Sequence, residues 1–135
     1  MIFDTNIFIY ADRGVESAKE LIFNTSVRAI STVTYMEYVP YCRNKKELMT
    51  FEKLLDTLEF KIYEINTLTS LQARRIVKNF ALSHSVEMAD ALIAATALLH
   101  DEVLCTSNAK HFLPIDDLKL EIFHPSDDSQ ERGTQ

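Results

Sequence analysis

The sequence predicts an α/β protein of three layers, in which helices cover both faces of a central parallel sheet of about five strands. Short runs rich in β-branched and aromatic residues alternate along the chain with longer segments of helical periodicity. The chain contains only 2 Gly, which disfavours tight hairpins between neighbouring strands. A length of 135 residues suits one hydrophobic core.

The strand candidates are apolar runs of strand length that are rich in β-branched or aromatic residues. They are Met1–Phe3, Arg28–Ser31, Phe60–Ile65, Val103–Cys105 and Lys119–Phe123. Between them lie segments in which apolar residues recur at the spacing of one helix face. These helix candidates are Asn6–Ala11, Val15–Phe23, Thr34–Cys42, Lys46–Leu58, Leu68–Ser83 and Met88–Leu99.

Residues 1–125 are expected to form a single domain, because no linker or composition break occurs before Pro125. Polar and acidic residues then take over, so we expect 126–135 to be a disordered acidic tail. No apolar run approaches the roughly 20 residues that span a bilayer, and the start lacks a basic segment. We therefore expect a cytoplasmic protein without a membrane partner. Cys42 and Cys105 lack metal-site spacing and receive no role.

The formal net charge of -6 is the wrong sign for a protein that covers nucleic-acid phosphates with Lys and Arg. A different mode of phosphate binding remains compatible with this charge. Clustered carboxylates that hold divalent cations would present positive charge where the phosphate arrives.

Two carboxylates follow predicted strands, and each has a structural alternative. Asp4 comes directly after the first strand, at the sheet edge where ligands of parallel sheets bind, but it could instead cap the first helix. Glu37 lies early in the helix that follows Arg28–Ser31. The pattern from Thr34 to Glu37 also matches a capping box, which is the structural alternative for that glutamate.

Asp90 is the only charged residue in Met88–Leu99, a helix that is apolar almost all the way round. Such a carboxylate needs a partner or a metal ion, and no Lys or Arg within the helix stands at i±3 or i±4. An arginine from elsewhere is the structural alternative. If the three acids converge they repel one another, so the sequence predicts hard divalent cations, Mg²⁺ or Mn²⁺, held by Asp4, Glu37 and Asp90. Paired ions of this kind suit phosphodiester hydrolysis.

Four segments in a fixed order carry a family resemblance that extends to about Pro125. They are Asp4–Ile9, Ile30–Glu37, Met88–Ala97 and Leu104–Phe112. With them the sequence resembles the PIN-domain ribonucleases, and among these the VapC-type toxins of toxin–antitoxin pairs.

The resemblance implies that Asp4 and Asp90 ligate metal and that Glu37 does so directly or through water. Thr5 and Asn6 would shape the first turn and position water or ligands. Asn108 would belong to the catalytic set, and since many relatives have Asp there, a second metal site is in question. Thr106, as a supporting residue, and Asn108 would form hydrogen bonds with metal-bound water or phosphate, and Lys110 and His111 would meet the RNA backbone. The alternatives are that Asn108 caps a short helix and that His111 only packs.

The implied activity is that of a metal-dependent endoribonuclease, in which a metal-activated water attacks phosphorus to leave a 5′-phosphate and a 3′-hydroxyl. The small size favours a toxin with RNA as substrate, a cognate antitoxin as partner and a homodimeric state. Three alternatives remain: a PIN nuclease of RNA processing without an antitoxin, a degenerate PIN-like binding module, and a phosphatase of the haloacid dehalogenase type. The last would need a second Asp where Asn6 stands.

Overall fold

The protein is described here by a computed structural model that covers residues 1–125, so the predicted tail at 126–135 lies outside the described residues. Its strands form one five-stranded sheet in the order β3-β2-β1-β4-β5, and every neighbouring pair is parallel. The strands are β1 (Ile2–Phe3), β2 (Ala29–Ser31), β3 (Lys61–Tyr63), β4 (Leu104–Thr106) and β5 (Leu120–Ile122).

Two α-helices lie in each of the first three connections between successive strands, whereas a segment with a 3₁₀ turn at Ala109–His111 connects β4 to β5. The α-helices are α1 (Thr5–Asp12), α2 (Glu16–Asn24), α3 (Thr32–Tyr38), α4 (Lys45–Thr57), α5 (Thr67–His84) and α6 (Met88–Leu99). The predicted fold class is confirmed. No helix within residues 1–125 is both long enough and apolar enough to cross a membrane.

Alternate residues of the central strands point to two separate hydrophobic cores, one on each face of the sheet. Ile2, Ala29 and Leu104 pack with the residues of α5 and α6. The following residue of each strand, which is Phe3, Ile30 and Cys105, packs with those of α1, α2 and α4. All six side chains are fully buried, which is why these strands read as continuous apolar runs in the sequence.

An aromatic cluster holds the layer formed by α1, α3 and α4 together. The ring of Phe8 lies 5.5 Å from that of Phe51 and 6.1 Å from that of Tyr38, both edge-on, and it also contacts Phe3 and Phe60. Such edge-to-face contacts add to the free energy gained from burial. Phe8 therefore fixes α1 against the sheet and so fixes the start of α1, which Asp4 caps.

The helix predicted at Thr34–Cys42 differs from the observed structure at both ends. α3 begins at Thr32, because the hydroxyl of Ser31 accepts a hydrogen bond from the backbone N–H of Val33 and caps the helix as soon as β2 ends. It gives way to a 3₁₀ turn at Val39–Tyr41. The capping box of Thr34 and Glu37 is therefore wrong, since both residues lie inside the helix.

Arg28 ties two helix ends to the start of β2. Its guanidinium donates to the backbone carbonyls of Ile22 at 2.6 Å, Phe23 at 2.7 Å and Leu58 at 2.9 Å. The last turn of a helix leaves carbonyls without intrahelical partners, and a cation there also interacts favourably with the helix dipole. One side chain thus closes the ends of α2 and α4.

Replacement of Arg28 by Met should lower the free energy of unfolding by about 2 to 3 kcal/mol, because carbonyls of two helix ends lose a charged donor. Urea denaturation followed by circular dichroism measures this change. Arg28→Lys keeps the charge but cannot reach three carbonyls, so it should recover only part of the loss. An Arg28→Met protein as stable as the wild type would contradict this account.

Candidate active site

Asp4 lies between β1 and α1, where its carboxylate is held by two donors from different elements. Oδ1 accepts the backbone N–H of Thr5 at 2.8 Å, so the predicted capping alternative is correct. Oδ2 accepts the hydroxyl of Thr106, the last residue of β4, at 2.8 Å. The side chain of Asp4 thus caps α1 and at the same time faces the carboxyl ends of β1 and β4.

Burial raises the pKa of Asp4 to about 6. Asp4 is only 7% exposed, and the loss of water around its carboxylate is the largest cause. The hydrogen bonds from Thr106 and Thr5 act in the opposite direction, whereas the negative charges of Asp90 and Glu37 raise the pKa further. No Lys or Arg within residues 1–125 forms a salt bridge with Asp4, so no cationic side chain offsets the charge of its ionised carboxylate.

Glu37 projects from α3 toward the first turn of α1. Its Oε1 accepts the hydroxyl of Thr5 at 2.5 Å, and that hydroxyl also lies 3.4 Å from the hydroxyl of the buried Thr34. Thr5 thus contacts two carboxylates, Asp4 through its backbone and Glu37 through its side chain. That Thr5 shapes the first turn and positions water or ligands stays a prediction.

Asp90 is the third residue of α6 and is half-buried, with a side chain 19% exposed. Its Oδ2 lies 2.9 Å from Nδ1 of His111 and 3.4 Å from the backbone nitrogen of Glu87. The residues that follow it in α6 are almost entirely buried, as the apolar pattern predicted. The side-chain partner of Asp90 is thus a histidine that follows β4, and not the arginine that the sequence suggested as the structural alternative.

The segment after β4 brings the last predicted residues to the same edge of the sheet. The hydroxyl of Thr106 donates to Asp4 and accepts the backbone N–H of Asn108 at 3.0 Å. Asn108 precedes a 3₁₀ turn at Ala109–His111, but its side chain makes no capping hydrogen bond. Lys110 is exposed in that turn, and Asn6 is half-buried in the first turn of α1. Hydrogen bonds thus connect Asp4, Thr5, Glu37 and Thr106 at this edge and Asp90 with His111, whereas Asn6, Asn108 and Lys110 are placed there only by their positions in the chain.

The chemistry of these donors fits a hard cation with an incomplete protein shell. Within residues 1–125, no three His, Cys, Asp or Glu side chains are arranged closely enough to enclose a metal ion. Magnesium is commonly held by one or two carboxylates, with water and substrate phosphate in the remaining positions. The carboxylates of Asp4 and Asp90 offer such a partial shell, and a divalent cation would offset the charge that raises the pKa of Asp4.

A separate cavity lies on another part of the surface. It has a volume of about 650 Å³ and a largely apolar lining between α1, α2 and α4, which includes Phe8, Ile22, Phe23, Phe51 and Leu54. None of the three predicted carboxylates lines it. The acidic edge and the apolar cavity are thus two separate surfaces.

The profile of the PIN domain family matches residues 1–117. The chain belongs to the PIN domain family. This membership is incompatible with the haloacid dehalogenase alternative, and it confirms the resemblance read from the four segments. No curated protein matches the sequence significantly.

Solved structures share the PIN fold over nearly the whole chain. A toxin–antitoxin complex from Klebsiella pneumoniae is 28% identical with a TM-score of 0.69, and the match covers 92% of this chain and 96% of that one. VapBC2 from Rickettsia felis, bound to a promoter DNA fragment, is 23% identical with a TM-score of 0.69 and coverage of 92% and 100%. DNA-bound VapBC from Salmonella typhimurium is 23% identical with a TM-score of 0.73 and coverage of 90% and 96%.

Two contacts of this PIN domain were missed in the sequence. The sequence predicts that His111 contacts RNA or only packs, but its Nδ1 contacts Asp90. The sequence also predicts that Thr34 caps a helix, but its hydroxyl lies near that of Thr5. Asp90 lacked a partner within its own helix, and this was the available signal that one would come from another element. The contact of His111 with RNA stays a prediction.

Substitution of Asp4 by Asn should reverse a pH-dependent loss of stability in the metal-free protein. The pKa of Asp4 is about 6 in the folded protein and 3.8 in the unfolded chain, so the folded state favours the protonated carboxyl group. The contribution of Asp4 to stability is therefore present at low pH and is lost as the pH rises through about 6. Between about pH 4.5 and about pH 8, the unfolding free energy of Asp4→Asn should gain about 2 kcal/mol relative to the wild type.

Urea denaturation in the presence of a chelator measures the difference at each pH. Asp116→Asn alters an exposed carboxylate and serves as the control, for which the difference should stay constant. A pH-independent difference for Asp4→Asn would contradict the assigned pKa.

Proposed function

We propose that the protein is an endoribonuclease that depends on Mg²⁺ or Mn²⁺ and acts as the toxin of a toxin–antitoxin pair. The observation that carries the enzymatic part is the set of hydrogen bonds at the carboxyl ends of β1 and β4, where Thr5 contacts Asp4 and Glu37 and the segment after β4 contacts Asp4 and Asp90. Since residues 1–125 supply no Lys or Arg salt bridge to any of these acids, a divalent cation is the charge that best complements them.

Asp4 and Asp90 would hold the cation, and Glu37 would complete the set directly or through water. When bound, such a cation lowers the pKa of a coordinated water and stabilises the developing charge on a phosphodiester. The protein contributes orientation: Thr106 and the backbone of Thr5 fix the carboxylate of Asp4, and the hydroxyl of Thr5 fixes that of Glu37. The expected products are a 5′-phosphate and a 3′-hydroxyl.

The proposed site holds one or two cations. The number depends on Asn108, because its amide can accept or donate a hydrogen bond but carries no charge. The backbone N–H of Asn108 donates to the hydroxyl of Thr106, and its side chain makes no capping hydrogen bond, so the amide is proposed to orient water or a phosphate oxygen. Lys110 is exposed in the following turn, which suits a contact with the RNA backbone.

The toxin assignment rests on family membership together with the toxin–antitoxin complex that is 28% identical over almost the whole chain. A cognate antitoxin is therefore the proposed protein partner. The apolar cavity between α1, α2 and α4 is the surface proposed to receive it, because Phe23 is 57% exposed there and an apolar helix would cover it. A homodimer in the cytoplasm is the proposed assembly, and light scattering of the purified protein measures its mass.

Purified protein should cleave a structured RNA in Mg²⁺ or Mn²⁺ and stop when a chelator is added. Asp90→Asn should reduce the cleavage rate at least about 100-fold, because the cation then loses a charged ligand and several kcal/mol of transition-state stabilisation. Gel electrophoresis of an end-labelled RNA with a single-stranded loop measures the rate.

The matched control is Asp116→Asn, which removes the same charge from an exposed site and should cleave at the wild-type rate. Protein that leaves RNA intact with every divalent metal while still binding it would favour the degenerate PIN-like binding module. Cleavage without any antitoxin gene beside its own would favour a nuclease of RNA processing.

Phe23→Asp should weaken the complex with the proposed cognate antitoxin by about 10-fold or more, because a charge replaces an apolar anchor. Isothermal titration calorimetry measures the affinity. Val27→Asp, at a side chain that is 55% exposed and outside the cavity lining, is the matched control and should bind normally. Equal affinities of the two variants for the antitoxin would show that the antitoxin does not bind in the cavity.

A further inference from the structure

The half-buried contact between His111 and Asp90 joins two elements that are distant in sequence. Nδ1 of His111 lies 2.9 Å from Oδ2 of Asp90, and the two side chains are 21% and 19% exposed. A carboxylate accepts hydrogen bonds, so the ring donates from Nδ1. Because water reaches both groups only in part, this contact is screened less than an ion pair on the surface.

The surrounding chain fixes the position of His111. His111 ends the 3₁₀ turn, and the backbone N–H of the next residue, Phe112, donates to the carbonyl of Ala109 at 2.9 Å. Phe112 is fully buried in the core formed with α5 and α6. The imidazole is therefore held by a packed neighbour, and its direction does not depend on contact with Asp90 alone.

The contact restricts which oxygen of Asp90 remains for a ligand. His111 and the backbone N–H of Glu87 both donate to Oδ2, and among residues 1–125 no hydrogen bond is made to Oδ1. Asp4 is oriented in a similar way from the same segment, since the hydroxyl of Thr106 donates to its Oδ2. The segment from Thr106 to His111 thus aligns both carboxylates that are proposed to hold the cation.

We propose that His111 is a positioning residue, which by its hydrogen bond to Oδ2 of Asp90 turns Oδ1 toward the cation site. The inference rests on the proposed function, because it assumes that Asp90 binds a divalent ion. His111 neither ligates the cation nor touches the reacting phosphate in this role. Hydrogen-bond partners of metal-binding side chains commonly change metal affinity by about 10- to 100-fold when they are lost.

Two substitutions of matched size separate hydrogen bonding from packing. Asparagine can place its side-chain N–H close to the position of Nδ1, whereas leucine has a similar shape but no donor. His111→Leu should bind Mn²⁺ about 10- to 100-fold more weakly than the wild type, and His111→Asn should stay within about threefold of it. Electron paramagnetic resonance of free Mn²⁺, measured in the absence of RNA, gives these affinities without any dependence on cleavage.

His124→Leu, at an exposed histidine after β5, is the control for the loss of a histidine and should bind Mn²⁺ like the wild type. The proposal would be overturned by a His111→Leu protein of wild-type affinity, or by His111→Asn being as weak as His111→Leu. If His111→Leu does not fold, the Mn²⁺ affinities of His111→Asn and His111→Gln decide the question. The donor of glutamine reaches further from the backbone than that of asparagine, so His111→Asn should match the wild type and His111→Gln should not.

The outcomes also distinguish this inference from the proposed function. Suppose that the wild type and His111→Leu bind Mn²⁺ equally well and that Asp90→Asn does not bind it. The proposed metal site is then supported, and the positioning role of His111 is rejected. If the wild type itself fails to bind Mn²⁺, both proposals fall. A His111→Leu protein with normal Mn²⁺ affinity but weakened binding of RNA would indicate that the histidine contacts the substrate.

Discussion

The burial of one carboxylate without a cationic side chain beside it is the constraint on which the acidic edge depends. Asp4 is almost completely buried, and loss of solvent together with its acidic neighbours raises its pKa to about 6. Its two hydrogen bonds satisfy the oxygens but do not neutralise the charge. A fold that holds an ionised Asp4 at neutral pH therefore stores unfavourable electrostatic energy, and a bound divalent cation would release it.

Packing of the sheet and the helices around Asp4 holds the carboxylate in this unfavourable position. Phe3, the residue before Asp4, is fully buried among aromatic rings, and Phe8 anchors the helix that Asp4 caps. The exit of β4 then connects the acids, because Thr106 contacts Asp4 and His111 contacts Asp90. The buried residues that flank Asp4, together with the buried Ala91 and Phe112 next to Asp90 and His111, would give the preorganisation that the proposed cation site requires.

Two surfaces of different character divide the functions proposed for the molecule. The acidic edge suits a cation and a phosphate, and a bound cation would explain how a chain of net charge -6 could bind phosphate as proposed. The cavity between α1, α2 and α4 is mostly apolar and suits a protein partner. Because α1 borders both surfaces, with Thr5 at the acidic edge and Phe8 in the cavity, a partner bound in the cavity would lie close to the acidic edge.

The sequence alone determined the alternation of strands and helices, the three layers, and the acids at the sheet edge, because these follow from local periodicity and from where polar residues interrupt it. The start of α3 was predicted incorrectly, since Ser31 ends a strand and caps a helix at once. Only the tertiary structure decided that Asp90 pairs with His111, that Glu37 accepts from Thr5, and that Thr106 reaches Asp4. These partners are 21, 32 and 102 residues apart in the chain, and no local pattern specifies which distant donor the folded core brings within hydrogen-bonding distance.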